Sequence, residues 1–342
     1  MSGIVPLVAT NFHVRTPNAQ PQQQRMKIVY MGTPEFARRP LAALCESKHE
    51  VLAVVTGQAK RVGRSKNPSP TAVYQEATRQ GLPVLTPASL KDTTLHEHIG
   101  SLKPDLIVVV AFRILPPELY SLPKHGAINI HGSLLPKYRG AAPINWALIN
   151  GDKETGLSSF FLKKQVDTGE ILAQERVTID SDENFDSLYD RLSSLAGPFL
   201  LRSLDLIESG NVEPVAQNDD EATPAPKILG DEAMIDFGFP AERVKDFVRG
   251  LSTRPGAYTF FRAKKTKLLA ARVSDLQDNT LAPGAVIADR RRLLIQCANS
   301  AVEVLTILPE GKKPMDGVSF KNGFRPQTGE IFGKITKEAN AS

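Results

Sequence analysis

Residues Leu106 to Ala111 read Leu-Ile-Val-Val-Val-Ala, apolar at every position. A strand with one wet face alternates apolar and polar residues. A strand apolar at consecutive positions is buried on both faces, as in the centre of a parallel sheet covered by helices. This run therefore demands an α/β layer. It is of strand length, and nothing in the chain approaches the roughly 18 apolar residues of a membrane span.

The surrounding pattern agrees. Lys27–Met31 is a short apolar run followed by Gly32-Thr-Pro34, which predicts strand, tight turn and a helix over 34–47. A strand is expected at 51–56, a helix at 70–80 ending before Gly81, and a strand at 127–131. Alternating strands and helices build βαβ units and a Rossmann-like, doubly wound sheet. Two further strands, 157–162 and 171–179, are joined through Asp167-Thr-Gly169. A long helical stretch, 185–208, is interrupted at Gly197-Pro198.

Composition then changes. Residues 211–230 hold three prolines, several acids and little apolar periodicity, which reads as a linker. Beyond it come an amphipathic helix at 240–251 and short strand-like runs at 257–262, 267–273, 285–288, 293–297 and 302–308, separated by turn signals. Short, evenly spaced strands predict a small β-barrel of OB-like type. The expected domains are 26–210 and 231–335, joined by 211–230; the total of 342 residues suits two domains. Residues 1–25 contain no acid and are set aside as an extension, an upstream start or, less in keeping with two arginines, a transit peptide.

Cys45 and Cys297 lack partners at metal-ligand spacing and are expected to be reduced. A net charge of +5 permits a polyanionic partner without requiring one. Its placement says more. Lys60, Arg61, Arg64 and Lys66 crowd one stretch, and Arg262, Lys264, Lys265, Lys267, Arg272 and Arg290 to Arg292 cluster later. A charge run of this kind is also an ordinary solvated surface.

The densest chemistry lies in Ala127-Ile-Asn-Ile-His-Gly-Ser-Leu-Leu-Pro-Lys-Tyr-Arg-Gly-Ala-Ala-Pro143. Asn129 and His131, two apart on a strand, share a face near its C-terminal end, where open α/β sheets bind ligands. A hydrogen-bonded structural histidine and a strand-end asparagine would explain the same spacing. Asp167 before Gly169 could equally form a turn. An aspartic-protease reading fails because a second Asp-Thr/Ser-Gly is absent. Gly-x-Gly-x-x-Gly is absent too, so no nicotinamide cofactor is expected.

These residues resemble the signature of the folate-dependent formyltransferases, Asn-x-His-x-Ser-x-Leu-Pro. Residues 131–143 resemble its longer methionyl-tRNA formyltransferase form, and Met31-Gly-Thr-Pro-Glu-Phe-Ala37 and Asp167-Thr-Gly169 match that branch's other landmarks in order. The resemblance covers 26 to about 310. It implies transfer of a formyl group from 10-formyltetrahydrofolate to the amino group of initiator methionyl-tRNA, without a metal. Asn129 and His131 would stabilise the developing oxyanion, and Asp167 would orient His131 and help move the proton off the attacking amine. Ser133, Leu134, Leu135 and Pro136, with Phe112, Ile114 and Leu115, would contact folate. Lys60, Arg61, Arg64, Lys66, Arg139, Lys264 and Lys265 would face the tRNA. The family's Asp-Arg-Pro is replaced by Ala59-Lys60-Arg61, so the resemblance implies Lys60 or Arg61 as the candidate for the cation that would enter the acceptor stem. Its Ala-Tyr-Gly-x-Ile-Leu-Pro is shortened to Ala111-Phe-Arg-Ile-Leu-Pro116, and Arg113 is either a contact to folate carboxylates or a surface residue. A monomer in the bacterial cytoplasm is expected, with an organelle left open by residues 1–25, and no membrane partner.

Overall fold

The computed structural model describes residues 25–61, 67–210 and 213–334. In chain order the elements are β1 (Lys27–Gly32), α1 (Glu35–Cys45), β2 (Glu50–Val55), β3 (Lys60–Arg61), β4 (Pro68–Ser69), α2 (Ala72–Arg79), β5 (Val84–Leu85), α3 (Thr93–Ser101), β6 (Leu106–Val110), α4 (Pro117–Tyr120) and β7 (Ala127–His131). Next come α5 (Pro143–Ile149), β8 (Glu154–Phe161), β9 (Ile171–Thr178) and α6 (Phe185–Ser209). The remainder is α7 (Ala241–Leu251), β10 (Ala257–Phe261), β11 (Lys264–Ser274), β12 (Val286–Ile287), β13 (Leu294–Gln296), β14 (Ala301–Pro309), β15 (Met315–Asp316), α8 (Gly317–Phe324) and β16 (Phe332–Gly333).

The first sheet runs β5-β2-β1-β6-β7-β8-β9. β5, β2, β1, β6 and β7 are mutually parallel, and β8 returns antiparallel to β7. The all-apolar run forms β6, paired on both edges, and its five residues are at most 5% exposed. Strand order reverses at β1, with β2 on one side and β6 on the other. That is the switch point at which such sheets leave a crevice.

α2 starts where Thr71 caps it: the Thr71 hydroxyl accepts from the Tyr74 N–H at 3.0 Å. α6 differs from expectation. It runs unbroken through Gly197-Pro198, because its buried stripe Leu188, Leu192, Ala196, Leu200 and Leu204 stays in helical register across the proline.

The second sheet is antiparallel, β12-β13-β14-β11-β10-β16, with β15 on β14. Its ends meet. Ala285 bridges Ile331, the Val286 N–H donates to Glu330 O at 2.9 Å, and the Phe332 N–H donates to Gly284 O at 2.8 Å. The sheet thus closes into a barrel, packed with Leu268, Ile295, Val302, Ile307 and an aromatic group. In that group Phe320 stacks on Phe324 at 4.4 Å, and Phe261 stacks on Phe332 at 4.5 Å.

Compactness divides the chain differently from its linear order. Among the described residues, one unit holds those up to 131, 157–175 and 193–220; the other holds 132–156, 176–192 and those from 221 to 334. Two described residues of the stretch between the expected domains are paired. Val215 pairs with Ile171 in the first unit, and Pro224 bridges Arg139 in the second.

Candidate active site

β7 carries Asn129 and His131 on one face at its C-terminal end. Asn129 lies opposite Val109 of β6 and Phe160 of β8, so two neighbouring strands fix its backbone. His131 is 6% exposed, and its ring meets the edge of Phe160 with centroids 6.5 Å apart. Its Nδ1 lies 3.8 Å from Asp167 Oδ2. Three polar side chains from two distant sequence positions are thereby gathered on the first sheet.

Asp167 reaches this place through a strained turn. Its φ is +55°, the left-handed region, which a non-glycine residue holds at a cost of about 1–3 kcal/mol. Gly169 follows with its Cα against the Phe161 carbonyl, where a Cβ would overlap the oxygen. The Gln217 side-chain amide donates to Asp167 O at 2.9 Å and to Gly169 O at 2.7 Å. Gln217 lies in the stretch read as a linker, and no local pattern singles it out.

At the switch point of the same sheet is a cleft of about 580 Å³. The β1–α1 turn at Thr33–Glu35, the segment from Gly57 to Lys60, and Ala111–Arg113 after β6 all line it. Its lining does not include Asn129, His131 or Asp167. Arg113 donates to the carbonyls of Pro87 and Ala88, at 3.0 and 3.1 Å, and stands 5.2 Å over the Phe112 ring. Partial burial lowers its pKa from the ordinary value. Ile114 beside it is 73% exposed, an unusual state for a large aliphatic side chain, whereas Leu115 is buried.

The Formyl transferase family model matches residues 26–204, and the model for its C-terminal domain matches 227–325. The methionyl-tRNA formyltransferase of Caldanaerobacter subterraneus subsp. tengcongensis is 41% identical over 292 residues, 85% of this chain and 94% of its own. That of Chlorobium luteolum is 41% identical over 310 residues, 89% of this chain and 99% of its own. The chain belongs to the formyl transferase family, among its methionyl-tRNA formyltransferases.

Solved structures agree in fold. An N-formyltransferase from Helicobacter canadensis, in complex with folinic acid and dTDP-3-aminofucose, superposes with a TM-score of 0.62 at 17% identity, covering 82% of this chain and 98% of that one. HypX from Aquifex aeolicus, in complex with tetrahydrofolic acid, gives 0.61 at 19%, covering 92% of this chain; the chain spans half of HypX.

In this formyltransferase the loop after His131 is shaped by its own side chains. Ser133 is fully buried and donates to Lys137 O at 2.6 Å, closing the loop on itself. Leu135 is buried, while Leu134 and Pro136 are partly exposed. The Thr223 hydroxyl accepts from the Tyr138 N–H at 2.9 Å, and the Arg139 N–H donates to Thr223 O at 2.9 Å. The Tyr138 hydroxyl, pushed up to about 12 by burial, donates to Asp152 Oδ2 at 2.7 Å.

The expected cations fare unequally. Lys60 and Arg61 are exposed on the two-residue ribbon of β3 and β4; Arg64 and Lys66 lie outside the described residues. Lys264 and Lys265 are exposed at the start of β11, with the Lys265 ammonium 3.6 Å over the Tyr258 ring. Arg262, Arg272 and Arg292 are instead paired with Glu330, Glu303 and Asp289. Among the described residues, one group stands at metal-ligand spacing: His49, Asp205 and Glu208. The Lys48 ammonium already sits on both carboxylates, at 2.6 Å from Glu208 and 3.3 Å from Asp205. No described helix is long and apolar enough to cross a membrane.

Proposed function

We propose that this chain moves the formyl group of 10-formyltetrahydrofolate onto the α-amino group of methionyl-tRNA(fMet), preparing it for translation initiation. The approach of the Asp167 carboxylate to the buried His131 imidazole, two residues from Asn129 on β7, carries the reading.

The residues suit the chemistry. An α-amino group has an ordinary pKa of about 7.7–8.0, so a useful neutral fraction exists near neutral pH. As the amine nitrogen bonds to the formyl carbon, negative charge builds on the formyl oxygen. The Asn129 amide and the His131 imidazole donate hydrogen bonds to it. Losing such a donor costs about 100- to 1,000-fold in kcat. Asp167 orients the imidazole and helps receive the proton that leaves the amine; the tetrahedral adduct then collapses, the bond from the formyl carbon to N10 of the folate breaks, and N10 takes up a proton as tetrahydrofolate leaves. No covalent enzyme intermediate is needed.

Folate supplies the formyl group. The exposed Ile114 side chain beside Phe112 offers apolar surface suited to a flat heterocycle; Leu134 and Pro136, partly exposed on the loop that the buried Ser133 and Leu135 shape, are assigned to folate by the family's motif. Lys60 and Arg61, with the described parts of the barrel at Lys264 and Lys265, supply exposed positive charge for tRNA phosphates. Arg139, Arg64 and Lys66 belong to the same reading. The enzyme acts as a monomer in the bacterial cytoplasm, a compartment supported by the bacterial sources of the related chains. The domains behind this division of labour are 26–210 for chemistry and 231–335 for tRNA, joined by 211–230.

Formyl transfer measured with charged initiator tRNA and 10-formyltetrahydrofolate tests it. Wild type transfers the group, and His131→Ala loses about 100-fold or more in kcat. Transfer to an amino-sugar nucleotide but not to methionyl-tRNA would replace this reading.

A further inference from the structure

Gln217 sits in a stretch whose composition suggests a tether, yet its backbone is fixed. Val215 and Ile171 exchange backbone hydrogen bonds of 2.8 and 2.9 Å, which lays the segment along the start of β9. Two residues on, the Gln217 amide nitrogen reaches both Asp167 O and Gly169 O. A primary amide has two N–H groups, and here each finds its own carbonyl. These are the first and third carbonyls of the turn that presents the Asp167 carboxylate to His131. We propose that Gln217 is a positioning residue for formyl transfer, its amide holding the Asp167 turn so that the carboxylate meets the imidazole. This rests on the formyl-transfer reading above.

The turn needs such a hold. A left-handed aspartate persists only where its surroundings dictate it. The turn is stopped by the Phe161 carbonyl, against which Gly169 is pressed, and is held by the Gln217 amide. Residue type matters: a glutamate would set carboxylate oxygens against two carbonyl oxygens, and an alanine would leave both carbonyls to water. Gln217 is assigned no contact with substrate. It acts on the reaction through Asp167.

The test compares wild type, Gln217→Ala, Asp167→Ala and the double variant, measuring kcat and KM for both substrates. Hydrogen exchange over residues 165–170 is measured in parallel. Gln217→Ala is expected to lower kcat at least tenfold with each KM within twofold. The double variant should be no slower than Asp167→Ala, because the two side chains act as one unit. Exchange should quicken at the turn while β6 and β7 keep their protection. Gln217→Glu should be as poor at neutral pH and recover relative to wild type as pH falls, when a protonated carboxyl regains one donor. Wild-type kcat in Gln217→Ala, or losses that multiply in the double variant, would overturn the proposal. A wild type inactive on methionyl-tRNA would sink the functional reading instead; exchange at the turn would then decide the clamp alone, unchanged rates refuting it and quickened rates upholding it.

Discussion

Asp167 and Gly169 share one tight turn with opposite demands. Asp167 holds its carboxylate from an unfavourable backbone region; Gly169 has room for no side chain at all. Gly169→Ala should therefore cost about 2–4 kcal/mol in a denaturant melt and remove formyl transfer with it. The thiol of Cys297 makes a separate prediction. Burial raises it from an ordinary 9.0 to about 12. The unfolded chain sheds this proton above pH 9 while the folded chain keeps it. The associated stability is complete below about pH 9 and is lost as pH climbs towards 12. Cys297 should resist alkylation at pH 8 until the protein is unfolded. Of the site, Asn129 and His131 were legible, because alternation on a strand fixes which side chains share a face. The handedness of Asp167 was not, and neither was Gln217, whose partners lie 50 and 48 residues away. Hydrogen bonds across such separations leave no periodicity in the sequence.

Elements read well where the pattern was long and failed where it was short. β6 and β7 fall within a residue of their expected ends, β6 because it is continuously apolar and β7 because Gly126 and Gly132 bound it. The ribbon of β3 and β4, and β5, β15 and β16, are two-residue strands held by neighbours rather than by propensity. α3, α4, α5 and α8 escaped notice as well. α8 is eight residues with two glycines, and it exists because it plugs the barrel. Asp316 caps it, its carboxylate accepting from the Ser319 N–H at 2.8 Å, and Phe320 is fully buried. Asp316→Ala should cost about 1 kcal/mol. Phe320→Ala should cost about 3–5 kcal/mol in the same melt. Pro198 teaches the converse lesson for α6. A breaker in the sequence yields to an apolar stripe that stays in register on both sides of it.

For the molecule as a whole, the proposed docking of tRNA on the exposed cations makes a prediction about salt. Affinity should fall steeply between about 50 and 200 mM salt, by roughly 10³- to 10⁵-fold if 6–10 phosphates are met. Replacing Lys60 or Arg61 by alanine should reduce the slope of log K against log salt by about one. A flat dependence would argue against both basic surfaces as docking sites. The two sheets bear on a different property. The barrel joins its first strand to its last, β5 at one margin of the other sheet is two residues long, and Val215 covers part of β9 at the opposite margin. The closed barrel and the two-residue β5 thus offer a stranger's backbone no long rail on which to zip, and on the longer β9 the charges of Glu175 and Arg176 discourage one; concentrated solutions should stay clear of fibrils and of strand-swapped pairs.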